Sequence, residues 1–208
     1  MIRPPGFRGA AFGDAADGDP RNDAAGRADL ARWLQIPTEW AWLHQVHGTG
    51  VIRARGPGRL GEADAVFTTD AGLPMAVGTA DCYPVIVEGD GGVGIAHAGW
   101  RGAVGGVVGA LLAAMRGEGI EPRRAAIGPG ISACCFEVGP EVAVRFRGFG
   151  ATTTWGRPSV DLVAAVTADL EGLDVWVAGA CTMSDDGYHS YRRDGTLRRQ
   201  VAVAWLLG

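Results

Sequence analysis

LPMAVGTADCYPVIVEG, residues 73–89, with VGIAHAG, residues 93–99, close behind it, decides the fold class. The first is a long apolar segment broken by Asp81 and Pro84. It fits two buried strand pieces around a kink, because proline cannot donate to a ladder and sits at strand starts, edges and bulges. VGIAHAG is a further strand, reached with no helix in between. Beyond it, RGAVGGVVGALLAAMRGEG (101–119) sets Val104, Val107, Val108, Leu111, Leu112 and Met115 at helical spacing, and Gly119 suits the helix end. Gly105, Gly106 and Gly109 weaken such a helix by about 1 kcal/mol each relative to alanine. Close packing against a sheet is the expected compensation.

Outward from this stretch the pattern stays strand-rich. NDAAGRADLARWL (22–34) predicts a helix capped by Asn22 or Asp23, with Leu30, Trp33 and Leu34 on one stripe. EWAWLHQVHG (39–48) and VIRAR (51–55) read as strands around a turn at Gly48–Gly50, and ADAVFTT (63–69) alternates weakly. RRAAIGPG (123–130) is a short strand and turn, EVAVRF (141–146) a short helix, and SVDLVAAVTADLEGL (159–173) a helix with Leu162, Val163, Val166 and Leu170 on one face. DVWVAGA (174–180) and QVAVAWLL (200–207) are closing strands; SYRRDGTLRRQ (190–200) between them predicts a hairpin. Strands outnumber helices and do not alternate strictly with them. The expected class is α+β, with layered mixed β-sheets flanked by helices in an α/β/β/α-like order and one domain over 1–208.

Composition bounds the function. The chain has 208 residues, 47% hydrophobic and 20% charged, enough for a substantial core. A net charge of −4 leaves no electrostatic footprint for nucleic acid or an anionic membrane. No signal-peptide h-region and no membrane-spanning apolar run is present. Cys82, Cys134, Cys135 and Cys181 lack C-x-x-C spacing, which fits a cytoplasmic chain with free thiols.

The chemistry-bearing residues gather at strand ends. His44 and His47 stand in HQVHG, Cys82 in TADCYP and His97 in AHAGWRG, each where an apolar strand runs into a Gly or Pro turn. Two histidines and a thiolate form a three-ligand zinc set with a fourth position open. The same residues also read as separate core or turn residues, since cysteine is among the most buried residue types. They read equally as a Cys–His nucleophilic pair, with Cys82 attacking, His97 or His47 as base and Asp81 orienting the imidazole. A blue-copper set would need a long Met ligand; neither Met75 nor Met183 has the sequence neighbourhood of one.

Gly99-Trp100-Arg101-Gly102 opens the Val/Leu helix, where unpaired N–H groups and the Arg101 fork suit an anion, phosphate above all. A helix start whose arginine pairs a surface carboxylate is the alternative. In SYRRDGTLRRQ, Arg193 and its neighbours form a solvated turn or a second anion or ribose contact. Gln45 is placed to hydrogen-bond substrate or a ligand. Cys134 and Cys135 read as structural, because ligand roles need partners brought from afar.

HQVHG, ADAVFTT, TADCYPVIV, AHAGWRG, AIGPGISACCFEVG and SYRRDG, in this order over roughly residues 40–208, resemble a known family. It was once labelled multicopper polyphenol oxidase or laccase and is now described as zinc-dependent purine nucleoside phosphorylase. Adenosine deaminase and methylthioadenosine phosphorylase activities go with it, and one bacterial branch is called peptidoglycan editing factor. The resemblance implies zinc ligands at His47, Cys82 and His97, with His44 outside the set. It implies purine nucleosides and phosphate as substrates of a zinc enzyme, here expected to be monomeric. Asp81 is then a candidate for proton transfer or ligand orientation. Copper-dependent polyphenol oxidation and a Cys–His amidase acting on peptidoglycan precursors are the alternatives; a third is a nucleotide-binding protein without catalysis. The sequence departs from the family at its shortened N-terminal segment, where AAFGD (10–14) stands for S-L-N-L-G, at Gly26-Arg27 for an N-R pair, and at Leu197-Arg198-Arg199 for T-G-R.

Overall fold

The computed structural model describes residues 1–208. In chain order the strands are β1 (Ala10–Phe12), β2 (Ala41–His44), β3 (Val51–Arg53), β4 (Gly58–Glu62), β5 (Ala65–Thr68), β6 (Met75–Thr79) and β7 (Tyr83–Gly89). They continue as β8 (Gly92–Ala98), β9 (Pro122–Ile127), β10 (Gly150–Thr152), β11 (Pro158–Val160), β12 (Asp174–Val177) and β13 (Gln200–Ala204). The helices are α1 (Ala24–Leu34), α2 (Trp100–Gly105), α3 (Val107–Gly117), α4 (Pro140–Ala143), α5 (Leu162–Ala168) and α6 (Tyr191–Asp194).

Two mixed sheets form the centre. One has the order β1-β13-β6-β2-β4, the other β12-β9-β7-β8-β5-β3; β10 and β11 make a separate two-stranded pair. Neither main sheet closes on itself, so the fold is mixed α+β with layered sheets, as the strand-after-strand sequence predicts.

Burial on both faces explains why the central strands read as continuous apolar runs, with alternate residues serving different clusters. In β7, Ile86 points between the sheets, while Val85 and Val87 join the cluster that packs Leu111, Met115 and Leu162 from α3 and α5. In β13, Ala202 and Ala204 face the other sheet, while Val201 and Val203 meet Leu30 and Leu34 of α1. The order is therefore α1, sheet, sheet, α3 with α5, and the central strands of both sheets are buried on both faces. The kink read at Asp81–Pro84 is the β6–β7 junction. There the chain leaves one sheet and enters the other.

Three expectations are corrected. The helix over 101–119 is two helices, because Gly106 adopts φ 84 and ends α2 before α3 starts. Val104 accordingly falls off the buried stripe and is exposed. SYRRDGTLRRQ is not a hairpin: Ser190 caps the backbone N–H of Arg193 and residues 191–194 form α6. The helix over 159–173 starts only at Leu162, since Ser159 and Val160 belong to β11. No helix is long and apolar enough to cross a membrane.

Candidate metal centre and cleft

Asp64 builds the centre from beneath. It precedes β5 and is fully buried (0% exposed). Its Oδ2 accepts the N–H groups of Val46 (3.2 Å) and Gly48 (2.6 Å), and its Oδ1 accepts that of His47 (2.9 Å). Oδ1 also meets His97 Nδ1 at 2.8 Å, and the Asp64 carbonyl accepts the His97 backbone N–H at 2.7 Å. One carboxylate thus shapes the loop carrying one imidazole and orients the ring of another. Burial works against its ionisation, but the hydrogen bond from His97 and those from the backbone N–H groups outweigh it and hold Asp64 below the usual carboxylate range.

His47, Cys82 and His97 come together above it. Their ligand atoms all lie within 4.8 Å of one another. The two imidazoles stand edge to face, centroids 4.8 Å apart and 73° between planes. With Nδ1 engaged by Asp64, His97 keeps Nε2 for the centre. His97 is 3% exposed and Cys82 half-buried. Burial raises the Cys82 thiol, but the facing His97 and His47 imidazoles overcome this and bring it down to about 6. Burial lowers His97, but the Cys82 sulfur and the Asp64 carboxylate lift it to about 9.

Two further features mark the spot as prepared. His47 has φ 61 and Asp81, next to Cys82, has φ 85; these two and Gln35 are the non-glycine residues with positive φ. Such conformations cost about 1–3 kcal/mol and persist where surrounding contacts impose them. Gly99, between His97 and α2, leaves room that a side chain would fill: a Cβ there would stand 2.9 Å from Cys82 Sγ and 3.0 Å from His47 Cδ2. Four ligands around a zinc ion stand about 3–4 Å apart, so the donor spacing, the thiolate character and the cleared space fit such an ion. Gly99→Ala should intrude on this seat without backbone strain, since φ is −74. Overpacking of this kind costs about 1–3 kcal/mol, or roughly a 10–100-fold loss of zinc affinity. Competition with a chelating dye measures it, and unchanged affinity would place the seat elsewhere.

The centre lies in the wall of a cleft of about 720 Å³, within the range typical of small-molecule sites. Trp42, Trp100, Phe136 and Tyr191 line it, along with Arg21, Arg27, Arg59, Arg101, Arg192 and Arg199. Several of these arginines are already engaged. Arg21 pairs with Asp19, Arg27 donates to the carbonyls of Pro20 and Thr38, and Arg192 donates to that of Glu137. Arg101 lies 4.4 Å over the ring of its neighbour Trp100 and has no hydrogen-bond partner in the chain.

The other candidates lie as follows. Gln45 lines the cleft, but both ends of its amide clasp the backbone of Gly78 at 2.9 Å, extending β2 onto β6. Asp81 lines it too, with its carboxylate engaged by the Thr182 hydroxyl (2.7 Å) and the Arg192 N–H (2.6 Å). Arg193 does not line the cleft: its guanidinium donates to the carbonyls of Thr182, Met183, Asp185 and Tyr188 and pairs with Asp194. His44 is exposed beside Glu62 and outside the ligand set. The distant partner that Cys134 and Cys135 lacked in the sequence is Cys181, 3.8 Å from Cys134. Asp64 was not singled out by sequence, although an acid flanked by Ala63 and Ala65 at the head of an apolar strand was its trace.

Comparison with known proteins agrees with this architecture. A family model described as multi-copper polyphenol oxidoreductase laccase matches residues 3–207. A purine nucleoside phosphorylase of Deinococcus radiodurans is 42% identical, covering 96% of this chain and 83% of its own length. Purine nucleoside phosphorylase ORF3 of Streptomyces griseus is 40% identical, covering 94% and 86%. Among solved structures, YlmD from Geobacillus stearothermophilus superimposes with a TM-score of 0.81 at 30% identity, over 91% of this chain and 82% of its own. Neisseria meningitidis NMB0706 gives 0.79 at 34%, over 91% and 83%.

Proposed function

The chain belongs to the family described as multi-copper polyphenol oxidoreductase laccase, and on that premise we propose that it is a zinc-dependent purine nucleoside phosphorylase. The observation that carries this is the meeting of His47, Cys82 and His97 in the wall of an aromatic, arginine-lined cleft. The purine nucleoside phosphorylase names of its relatives support the substrate class. Zinc is preferred over a blue-copper centre on the donor set. Met75 is fully buried in the core between the sheets, and neither it nor Met183 lines the cleft, so no thioether serves as the long fourth ligand.

His47, Cys82 and His97 hold the ion, and Asp64 fixes the imidazole of His97 and the loop of His47. A bound zinc ion would supply Lewis acidity at this wall of the cleft. The rings of Trp42 and Trp100 offer flat apolar surface for a purine. Arg101, whose guanidinium rests on the Trp100 ring and has no hydrogen-bond partner, holds phosphate; the six-residue α2 adds little dipole of its own. In phosphorolysis a phosphate oxygen forms a bond to the ribose C1′. The bond from C1′ to the purine nitrogen breaks, and its electron pair leaves with the base, which takes up a proton. Adenosine deamination and methylthioadenosine cleavage are further activities of the same cleft under this proposal.

The test is removal of metal. Chelation should abolish release of hypoxanthine and ribose 1-phosphate from inosine, and zinc should restore it. In the same assay Arg101→Ala should raise the phosphate KM by roughly 10–100-fold, the worth of one charge-assisted contact, with a smaller effect on kcat. Full activity in the chelated enzyme would overturn the proposal.

A second reading has its own observation. In the metal-free chain, Cys82, His97 and Asp64 stand in the order nucleophile, base, orienting acid, with Cys82 at about 6. A thiol amidase built on that triad would survive chelation and die on alkylation of Cys82.

A further inference from the structure

Cys134, Cys135 and Cys181 form a second soft-donor cluster that takes no part in the phosphorylase site. Their sulfurs all lie within 4.8 Å of one another. Cys134 Sγ stands 3.2 Å from Cys135 Sγ and 3.8 Å from Cys181 Sγ. All four cysteines of the chain are free thiols. Cys135 is buried, while Cys134 and Cys181 are half-buried and within reach of an ion.

The backbone is built to bring these thiols together. Cys134 and Cys135 sit on a turn closed by the Cys135 N–H on the Ser132 carbonyl. Cys181 is carried alongside by a bridge to Gly130, and its sulfur accepts the Ser132 N–H at 3.4 Å. No imidazole or carboxylate belongs to the set. Met183, a thioether, lines the same small cavity as Cys135. The one carboxylate of that cavity, on Glu137, accepts from the Trp155 indole at 2.8 Å.

We infer that Cys134, Cys135 and Cys181 form a trigonal all-sulfur site for a soft d10 cation, and specifically for Cu(I). Three sulfurs held about 2.3 Å from one ion in a plane stand about 4 Å apart; Cys134 and Cys181 are already close to this at 3.8 Å, and the 3.2 Å pair of Cys134 and Cys135 opens to take the ion. Thiolates select soft ions, and three-fold sulfur coordination satisfies Cu(I), whereas zinc completes a tetrahedron. Binding is not a redox step: the ion enters as Cu(I), and each ligating thiol gives its proton to solvent. The location gives the ion a consequence. Ile131 and Phe136, on either side of the cysteine pair, line the cleft. An ion here ties that wall to the segment around Cys181.

The test uses full-length Cys82→Ala protein, reduced, so that the His47–His97 seat cannot compete as a thiolate site. Cu(I) is delivered from a chelator-buffered solution, and zinc is supplied in a parallel titration. One equivalent of Cu(I) should bind, with an X-ray absorption spectrum showing sulfur neighbours alone and a rise in Tm. Adding Cys181→Ser should weaken that binding at least tenfold. The absorption spectrum needs no cluster variant, so it decides even where the serine variant fails to fold. The inference is overturned by failure to retain copper or by nitrogen or oxygen in the first shell. It is likewise overturned by zinc binding in preference to Cu(I). None of these outcomes bears on the phosphorylase proposal, because Cys82→Ala already lacks that centre.

Discussion

Cys82→Ala should yield a folded protein that holds no zinc between His47 and His97 and cleaves inosine at least about 10³-fold more slowly, the loss expected when a Lewis acid worth several kcal/mol is removed. Folding should survive. Cys82 lies half-buried at the cleft wall, and its sulfur faces the two imidazoles rather than the apolar core. The loss reaches the neighbours. With the thiolate gone, His97 forfeits the larger of the two influences that lift it to about 9 and keeps the Asp64 hydrogen bond. The wild type therefore has a distinctive proton balance. Between pH about 6 and about 9 the metal-free chain holds Cys82 as thiolate and His97 protonated. Zinc entering in that window must displace at least the His97 proton, so affinity climbs with pH towards about 9 and levels above it. Below about 6 the thiol proton must leave as well, and the dependence steepens. The stability sign follows separately. The raised His97 contributes stability below its unfolded value that is lost as pH rises through about 9. The depressed Cys82 contributes above its unfolded value and loses that as pH falls through about 6. The metal-free pair is thus intact between the two. Calorimetry in buffers of different ionisation enthalpy counts the protons. Zinc-replete Cys82→Ala with wild-type turnover would sink the assignment.

The fold was legible where one kind of periodicity ran uninterrupted. LPMAVGTADCYPVIVEG and VGIAHAG gave three consecutive strands and hence the α+β class. Alternation in β7 and β13 is invisible in the sequence because both faces are apolar, one towards a helix and one towards the second sheet. The break at Gly106 was hidden for a different reason. Three glycines near one another each weaken a helix, and only the left-handed conformation of Gly106 ends it. At the site, His47, Cys82 and His97 were individually visible at strand ends, but their meeting is a tertiary fact, since 35 and then 15 residues separate them. Arg193 is the reverse case. Its sequence left a solvated turn and an anion contact open, and in the structure its guanidinium gathers carbonyls of the 182–188 loop. Asp64 stayed unread because an isolated buried acid carries no local pattern; its role comes from four donors arriving from two other segments.

Asp64→Asn should therefore be the most damaging conservative change in the protein. All four groups around the carboxylate are donors: three backbone N–H groups and the His97 ring. An anion with two oxygens satisfies them; an amide cannot. With its oxygen at the Oδ1 position, asparagine turns its NH₂ against the N–H groups of Val46 and Gly48. Flipped, it turns NH₂ against His47 N–H and His97 Nδ1. In the flipped case His97 escapes the clash only by accepting at Nδ1, which moves its proton to Nε2 and removes the lone pair a metal needs. Two unsatisfied buried donors, with the loss of a fully buried charge partner, cost about 3–5 kcal/mol. The misdirected imidazole costs roughly a further 10–100-fold in zinc affinity. The sign of the pH effect is fixed as well. Asp64 is held below its ordinary value, so its contribution is present above the unfolded carboxylate value of about 4 and fades as pH falls through the folded one. Asp64→Asn should lose stability at neutral pH and lose its share of the acid-induced unfolding. Asp64→Glu keeps the charge but moves it by one methylene, so it should recover some stability while leaving zinc binding impaired. Urea titration across pH and zinc competition on the two variants separate charge from placement. If Asp64→Asn keeps both wild-type stability and wild-type zinc affinity, Asp64 does not organise the centre, and the orientation of His97 must come from the strand alone.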